Sequence, residues 1–572
     1  MLTEALTATV FRRFDDAALV QAWQQLAADT AGSAFASHWW AAVQPGPAAS
    51  PLAVLVSQAG RPVAVAAFSL QGGHLMIAAG QFRDYSDWLC AADPRACADA
   101  VARALPWQDI QRIRIAGLKG GDPLGDALYA QARRAGLRGW LGQIDQAPRL
   151  SLLAEDGSRF SSYRFVFKSK NSKRLKIALA KKGEVAFWKV ASVEEIGPAV
   201  DRLAELHIRR WAGTTTPSGL ADPRRREVLR RIGEAAHRAG CLHFCELRLD
   251  GTPIASSLGY VTGATYGFHA VAFNAHVPGN SSIRSHLAYL LDDLAEATGV
   301  TCFDFLSGGE DYKLALASSS EPLRLLDMRR QRLPAGLARL KGQAFEAIYQ
   351  RPAWYARAKQ AKARIGALRQ RLRTPVAELR RLAAEFGLRV ALGKALRRAL
   401  ARWHDDTALA LVSLPLDNAA PAGEGAPVDI APGGFLDYAE LVALRFGGQR
   451  SAAVLDYDGR VQSGMQLFVA RVDGQLVASG WLQVGGTYAP TEIGARRPVE
   501  ADVHNDAYVI DVWTAPARRG QRLLSILLAH FVLQARRAGL QGRLHAVIDV
   551  RNRPSRRGFA RFGFVERAVL RR

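Results

Sequence analysis

The residues best equipped for chemistry close the stretch FDFLSGGEDYK, Phe303 to Lys313, where Glu310, Asp311, Tyr312 and Lys313 set acids, a phenol and an amine side by side. Such a group can accept, donate and relay protons. Something must hold it still. Cys302, Phe303, Phe305 and Leu306 have the composition of a strand, and Ser307, Gly308 and Gly309 end it in a turn. A second cluster, Cys241 and Cys245 with His243 between them and His237 before, offers thiol and imidazole ligands. No second ligand pair stands at matching spacing, so these cysteines read as buried thiols on a strand, and no metal is expected.

The elements that must position the tip emerge from periodicity. Ala17 to Ala28 reads as a helix, and Leu52 to Val56 with Val63 to Leu70 as a hairpin across the turn at Gly60. Trp107 to Gly117 holds a helix end and a strand, Asp126 to Ala135 a helix, and Glu184 to Val190 a strand. Val193 to Trp211, ending LHIRRW, carries apolar positions at helical spacing. Cys241 to Leu249, Thr252 to Val261 and Thr265 to Phe273 are three strands with an Asp250-Gly251 hairpin turn. The loop HVPGNSS, His276 to Ser282, leads into a helix from Ile283 to Ala297. Toward the C-terminus, Gln466 to Val472 and Gln475 to Gln483 pair through Asp473 and Gly474. Then come a strand at Tyr508 to Trp513, the run ARRGQRLLSILLAHFVLQARRAG and a strand at His545 to Val550.

A chain of 572 residues exceeds one core, and 49% hydrophobic with 22% charged residues is the composition of a globular protein. No N-terminal stretch combines a basic start, an apolar run and a small-residue cleavage site. The most apolar runs, Leu523 to Ala535 and Pro62 to Leu70, fall short of the roughly 18 residues that span a bilayer. Five cysteines, few and odd in number, argue against a disulfide framework. A cytoplasmic protein without a transmembrane segment is expected. The formal charge of +24 implies an anionic partner, and Arg329 to Arg402 alone holds 20 Lys or Arg against three Glu. Within it, Trp354, Ala358, Ala361, Ile365, Leu368 and Leu372 form one apolar stripe on a helix that stops before Pro375. This basic helical connector suits a helical hairpin packed on the body, or peripheral contact with tRNA or the anionic inner membrane. Asn418 to Asp429 reads as a linker.

The strand, Gly pair, acid and Tyr-Lys of Phe303 to Lys313 resemble the end of the acyltransferase domain of CelD-type proteins, which are associated with bacterial cellulose and exopolysaccharide synthesis. That family belongs to the GNAT superfamily and is similar to the Fem-type peptidyltransferases, in which two GNAT-like halves sit side by side. The resemblance extends to GQFRDYSDWL, Gly80 to Leu89, where it implies that Asp84, Tyr85 and Asp87 line a substrate cleft. It extends also to His207, Arg210 and Trp211 at a helix end, and to YRFVFKSKNSKRLK, whose Lys168, Lys170, Lys173 and Arg174 it places near a phosphate-bearing donor. The HVPGNSS loop resembles the short Pro-Gly turn of this group.

From about Gly433 onward the order of strand, loop, helix and strand resembles a GNAT domain, with Asn552, Ser555, Phe559, Gly563 and Phe564 at the family's Asn, small, Tyr, Gly and Phe positions. The resemblance implies that Trp513, Thr514, Arg518, Arg519, Gly520, Gln521, Arg522 and Asn552 bind acetyl-CoA, with backbone amides at a helix N-terminus holding its pyrophosphate. Asp511 or His545 would then take a proton from an amine through water. Three positions depart from the family: Arg522 and Leu524 stand where small residues let backbone approach phosphate, and Phe559 cannot protonate a leaving thiolate.

The fold expected is therefore α/β (α+β), three GNAT-like mixed-sheet units with a basic helical connector. Their bounds are 1–155, 156–328 and 430–572, with the connector at 329–417. The function expected is an acyl-CoA-dependent N- or O-acyltransferase, acting on a small-molecule or glycan-precursor acceptor of the cell envelope or an exopolysaccharide, with Tyr312, Lys313, Glu310, Asp511 and His545 as catalytic candidates. The alternatives are a Fem-like transferase that uses aminoacyl-tRNA, and a GNAT-fold binding protein without turnover.

Overall fold

The computed structural model describes residues 5–30, 32–43, 50–78, 82–154, 156–158, 176–214, 216–274, 281–296, 299–349, 408–417, 428–486 and 502–571. Lys168, Lys170, Lys173, Arg174, most of the HVPGNSS loop and residues 350–407 of the connector lie outside them. The described residues fall into two compact units, one drawn from 1–210 and 223–362, the other from 211–222 and 363–572. Both are mixed α/β.

The first unit is built on a 13-stranded sheet. Its strands are β1 (Leu6–Phe11), β2 (Ser50–Gln58), β3 (Arg61–Gln71), β4 (His74–Ile77), β5 (Leu89–Cys90), β6 (Arg112–Lys119) and β7 (Arg138–Ser151), then β8 (Val185–Lys189), β9 (Leu242–Leu249), β10 (Thr252–Thr262), β11 (Thr265–Phe273), β12 (Cys302–Asp304) and β13 (Ser319–Arg329). The order is β1-β2-β3-β4-β6-β13-β7-β12-β11-β10-β9-β8, with β5 paired to β3. Two pairs are parallel, β4 with β6 and β11 with β12. Parallel neighbours need a crossover, and the helices Pro94–Ala104 and Ser281–Glu296 supply it. The β9–β10 turn places Asp250 at φ 49° and Gly251 at φ 75°, the left-handed pair that a tight hairpin demands.

One continuous sheet thus carries both the segment before residue 155 and the segment after it. Strand β13, from the far end of the chain segment, lies between β6 and β7, with Leu326 opposite Ile115 on one side and Leu141 on the other. Asp327 of β13 is buried and takes Arg114 at 3.0 Å, Arg329 at 3.4 Å and Arg112 at 3.5 Å. One apolar core lies beneath the first half, around Phe68, Ile115 and Leu128, and another beneath the second, around Phe268, Leu291 and Phe303.

The second unit holds seven strands: β14 (Ala408–Pro415), β15 (Asp429–Pro432), β16 (Met465–Val472), β17 (Gln475–Val484), β18 (Ala507–Thr514), β19 (Arg543–Asp549) and β20 (Val565–Arg571), in the order β15-β16-β17-β18-β19-β14-β20. Ala408–Pro415 falls within the bounds expected for the helical connector. It is instead an interior strand between β19 and β20, because ALALVSLP is apolar on both faces and Leu409 to Leu414 are buried. The helix Leu523–Arg537 packs Leu527, Leu528 and Phe531 on the sheet. No helix among the described residues is long and apolar enough to cross a membrane.

Candidate functional site

In the first unit, β11 and β12 run parallel for three residues, Thr265 to Gly267 against Cys302 to Asp304, and then part. The side chain of Asp304, 3% exposed, sets the path of the chain beyond β12. It accepts the Tyr85 hydroxyl at 2.6 Å, the Leu306 amide at 2.8 Å and Arg149 Nε at 3.1 Å. The Leu306 bond holds that residue in the left-handed region, φ 59°, which turns the chain into Ser307 to Gly309. Glu310 then takes the N-cap position of a short helix, Asp311–Leu316, without a side-chain cap bond. Lys313 is buried beneath the tip, donating to the Ser307 carbonyl at 2.8 Å and pairing with exposed Glu310 at 3.0 Å. Tyr312 packs edge-on to Phe305, and burial, reinforced by Glu310 and opposed by Arg210, pushes its phenol up. Arg210 lies over the Phe273 ring at 3.9 Å; burial lowers it, while Tyr312 and Glu310 act the other way. The structure therefore gathers Glu310, Tyr312, Lys313 and Arg210. Trp211 is the next residue and ends the helix Val193–Trp211.

The segment Phe82 to Asp87 reaches the same place from the other half of the sheet. The Phe82 carbonyl meets His269 Nε2 of β11 at 2.7 Å, Asp84 takes the Ser307 hydroxyl, and Tyr85 binds Asp304. These contacts bridge β11 and β12 where the two strands part. His269 is sealed among Phe35, Trp40 and Tyr260, and burial pushes its pKa down. The neutral ring donates from Nε2 to Phe82, so Nδ1 accepts the Tyr260 hydroxyl at 3.0 Å. Arg83 pins the segment by donating to the carbonyls of Ala78 and Tyr85 at 2.6 Å, Asp87 at 3.1 Å and Phe35. Burial lowers its pKa to about 10.

Tyr85 and Asp87 are thus corrected from cleft residues to supports. Tyr85 is 1% exposed with its hydroxyl spent on Asp304. Asp87 is buried and ion-paired with Lys119 at 3.0 Å; burial alone would raise its pKa, and Lys119 with the Ser33 and Lys119 hydrogen bonds brings it below the ordinary value. Asp84 stays partly accessible, with burial raising its pKa against the pull of His269 and Ser307. The segment is fixed from beneath by Gly117, at φ +76°, whose carbonyl takes the Ser86 amide at 2.9 Å. A Cβ there would stand 2.3 Å from the Asp84 carbonyl oxygen. Gly117→Ala is expected to cost about 2–3 kcal/mol through left-handed strain and this clash, and a thermal melt unchanged from the parent would refute the assignment.

In the second unit, β18 and β19 are parallel only from Ala507 to Val509 against Leu544 to Ala546. Beyond Val509, β18 bulges: Ile510 faces Trp481 and Trp513 faces Ser479, so Asp511 and Val512 share the place opposite Gly480, with Asp511 at φ 50°. The chain then passes Trp513, Thr514, Arg518 and Arg519 to Gly520 at φ 83° and Arg522 at φ 59°. Arg522 is the N-cap of the helix Leu523–Arg537 and makes no side-chain cap, so the first-turn amides lack that partner. Gly520 has open space on its Cβ side, and Gly520, Gln521 and Arg522 are exposed.

Several sequence-based roles change here. Asp511 is ion-paired with Arg445 at 2.9 Å and Arg460 at 3.3 Å, one through each oxygen, which makes it an anchor for two guanidiniums and not an open base. His545 is buried at the paired end of β18–β19, opposite Tyr508, with Nε2 bonded to Asp506 at 3.0 Å. Leu524 does not lie over the loop: its Cδ2 sits 2.5 Å from where a Gly558 Cβ would be, packed on the helix Arg553–Phe562. Phe559 is core, edge-on to Phe564. Asn552 caps that helix by accepting the Ser555 amide at 3.3 Å. Sequence reasoning missed Asp304, Arg83 and His269. Asp304 had a signal, an acid between Phe303 and Phe305 in an otherwise apolar strand. Arg83 and His269 had none: Arg83 binds backbone carbonyls, three of them within five residues, which no side-chain pattern announces, and the Phe82 carbonyl that His269 meets lies 187 positions away.

Among the described residues no group of three or more His, Cys, Asp or Glu is arranged to hold a metal ion. No curated protein matches the chain. Solved structures similar to it include FemX, at 11% identity over 53% of this chain and 95% of that one, TM-score 0.37. Others are a tandem GNAT protein from the clavulanic acid biosynthesis pathway, at 15% over 56% and 98%, TM-score 0.34, and L-PGS from Bacillus licheniformis, at 10% over 60% and 99%, TM-score 0.36. Residues 167–314 match the family model described as an acetyltransferase (GNAT) domain, and residues 439–564 match that of the acetyltransferase (GNAT) family. The chain carries two GNAT acetyltransferase domains, one in each of these stretches.

Proposed function

We propose that the protein is an acyl-CoA-dependent N- or O-acyltransferase whose donor, acetyl-CoA or a related thioester, binds the second unit. The carrying observation is the coincidence there of parted strands, a bulge at Asp511–Val512, and a loop of two left-handed residues leading to a helix start without a side-chain cap. The comparable gap in the first unit is bridged by Phe82 to Tyr85. The residues present fit an anionic donor: the first-turn amides of Leu523–Arg537 point a partial positive charge toward the loop, and Arg518, Arg519 and Arg522 add full charges. When bound, the thioester supplies an acyl group already activated for transfer. The backbone around Trp513 and Thr514 polarises the acyl carbonyl, and holding an amine or hydroxyl beside it supplies most of the rate. The acceptor proton leaves through water. The first unit acts as a recognition module for the acceptor, a cell-envelope or exopolysaccharide precursor, through the tip that Glu310, Tyr312, Lys313 and Arg210 form.

Titration of acetyl-CoA into the full chain tests this reading. Binding is expected, and the double variant Arg519→Glu, Arg522→Glu is expected to weaken it about 10- to 100-fold by replacing charge-assisted bonds with repulsion. Arg522→Gly, which removes one of these charges and takes a side chain out of the left-handed region, is expected to weaken binding less than the double variant does and to gain up to about 1 kcal/mol of stability. No heat with any acyl-CoA, together with a salt-sensitive shift of aminoacyl-tRNA, would replace the CoA donor by tRNA.

A further inference from the structure

The helix Arg332–Tyr349 follows β13 in the first unit and packs on β7 and β13. Three residues fix its inner face. Ala335 and Gly342 are buried, and a Cβ on Gly342 would stand 2.5 Å from the Trp140 ring of β7. Glu346 accepts the Gln143 amide of the same strand at 3.3 Å. At 3.6 residues per turn, Leu337, Leu340, Ala344 and Ala347 then fall on the opposite face. All four are exposed, Leu337 at 70% and Leu340 at 66%, more than any other large apolar side chain among the described residues. The outer face of a surface helix ordinarily carries polar residues. This one carries an apolar stripe about 15 Å long with an exposed cation on each flank, Arg339 and Lys341. Glu346, the one acid in the helix, is turned toward β7.

We propose that this helix is a membrane-contact surface, which lays Leu337, Leu340, Ala344 and Ala347 into the acyl boundary of a bilayer while Arg339 and Lys341 meet anionic headgroups. The pairing of chemistries selects this partner. Aliphatic side chains gain by leaving water for hydrocarbon, and cations beside them gain from lipid phosphate at the same depth. A nucleic acid would reward the cations and gain nothing from two leucines. A second copy of the chain docked through the same face would set Arg339 and Lys341 against their own counterparts, with no outward acid on the helix to offset them. Residues 350–407, where Lys and Arg far outnumber Asp and Glu, would bring cations against cations in the same way. Four apolar side chains make a shallow contact, so attraction between charges brings the helix to the bilayer and salt releases it.

The test is flotation of the full chain with vesicles of phosphatidylcholine alone and of phosphatidylcholine mixed with phosphatidylglycerol. Binding to the mixed vesicles is expected, falling as salt rises and much weaker without the anionic lipid. Leu337→Ser combined with Leu340→Ser is expected to weaken it about 10- to 100-fold with circular dichroism unchanged, since both side chains lie outside the core. Arg339→Gln with Lys341→Gln is expected to weaken it about 10- to 30-fold. An environment-sensitive fluorophore on Leu340→Cys, with the labelled parent as blank, is expected to report water before vesicles are added and to brighten with them. No binding to mixed vesicles overturns the proposal. So does binding that survives the paired leucine change, which would assign the attraction to charge alone. A probe already shielded without lipid would mean that the chain itself or a second copy covers the face, and light scattering would tell which. An RNA that displaces the vesicles and binds the paired leucine variant as it binds the parent would reassign the surface to nucleic acid.

Discussion

Replacing His286 by glutamine is expected to flatten the acid limb of the stability curve of the first unit by about 1.4 kcal/mol per pH unit below pH 6.5. His286 lies on the helix Ser281–Glu296, is 0% exposed, and bonds Ser257 Oγ through Nε2 at 2.7 Å, with Cys245 against the same hydroxyl at 3.3 Å. Burial, with a smaller push from His243, lowers its pKa to about 3. His243 bonds Asp293 at 2.8 Å, and Lys189 bonds the same carboxylate at 2.5 Å. As pH falls below the ordinary histidine value near 6.5, the unfolded chain takes a proton that the folded chain refuses until about pH 3. Stability contributed by the neutral imidazole is therefore complete above pH 6.5 and is lost on acidification. Between pH 6.5 and 4.5 the loss is about 3 kcal/mol, of the order of a fifth to a half of a typical domain's stability. His207, lowered to about 4 by burial and Arg210, steepens the same limb, while Asp84, Asp122 and Asp145, raised by burial, work against it. All four are common to parent and variant, so the difference between the two curves isolates His286. Glutamine keeps a hydrogen-bonding group for Ser257 and does not titrate. Urea unfolding at pH 7.5, 6.0, 5.0 and 4.5 that gives parallel curves would show that His286 is protonated in the folded state.

What the sequence revealed and what it concealed divide along the range of the interactions. The hairpins β9–β10 and β16–β17 were legible to within a residue because Asp250-Gly251 and Asp473-Gly474 adopt the paired positive φ angles that such turns require. The helix Val193–Trp211 was legible from its apolar spacing. Strand β14 was concealed: ALALVSLP comes after a basic helical pattern, and only its pairing with β19 and β20, over 100 residues later, makes it a strand. Tyr85 was expected in a cleft because GQFRDYSDWL resembles a loop of the CelD-type proteins. Its partner Asp304 stands 219 positions away, and nothing local says that the pair is buried. Asp511 was expected to be a base from its place on the central strand of the domain that resembles a GNAT fold. It sits instead in a bulge and holds two arginines, Arg445 and Arg460, that are distant in sequence. The glycine and turn chemistry of the candidate sites was therefore legible, and the partners that decide whether a polar side chain is a reagent or a brace were not.

Asp304→Ala is expected to destabilise the first unit by about 3–5 kcal/mol, the range for removing one partner of a buried charged pair. Three donors lose their acceptor at once: the Tyr85 hydroxyl at 1% exposure, the Leu306 amide, and Arg149 Nε. Arg149 keeps Glu321 at 3.0 Å, so the guanidinium is not stranded; the hydroxyl and the amide are. Each unsatisfied buried group costs about 1–3 kcal/mol, so Tyr85 and Leu306 carry most of the loss. Asp304→Asn keeps an oxygen for one of them and is expected to cost less than the alanine. Pairing Asp304→Ala with Tyr85→Phe sharpens the test, since phenylalanine removes the donor that alanine would strand. The double variant is then expected to be more stable than the sum of the two single losses predicts, by about 1–2 kcal/mol. The mechanical consequence falls on the tip. Without the Asp304–Leu306 bond, nothing equivalent holds Leu306 at φ 59°, and the turn that delivers Ser307, Glu310, Tyr312 and Lys313 relaxes. Amide exchange should therefore accelerate at Gly308 and Lys313 well before it does in β9 and β10. Uniform acceleration across the unit would mean that Asp304 supports the fold as a whole and gives the tip no support of its own.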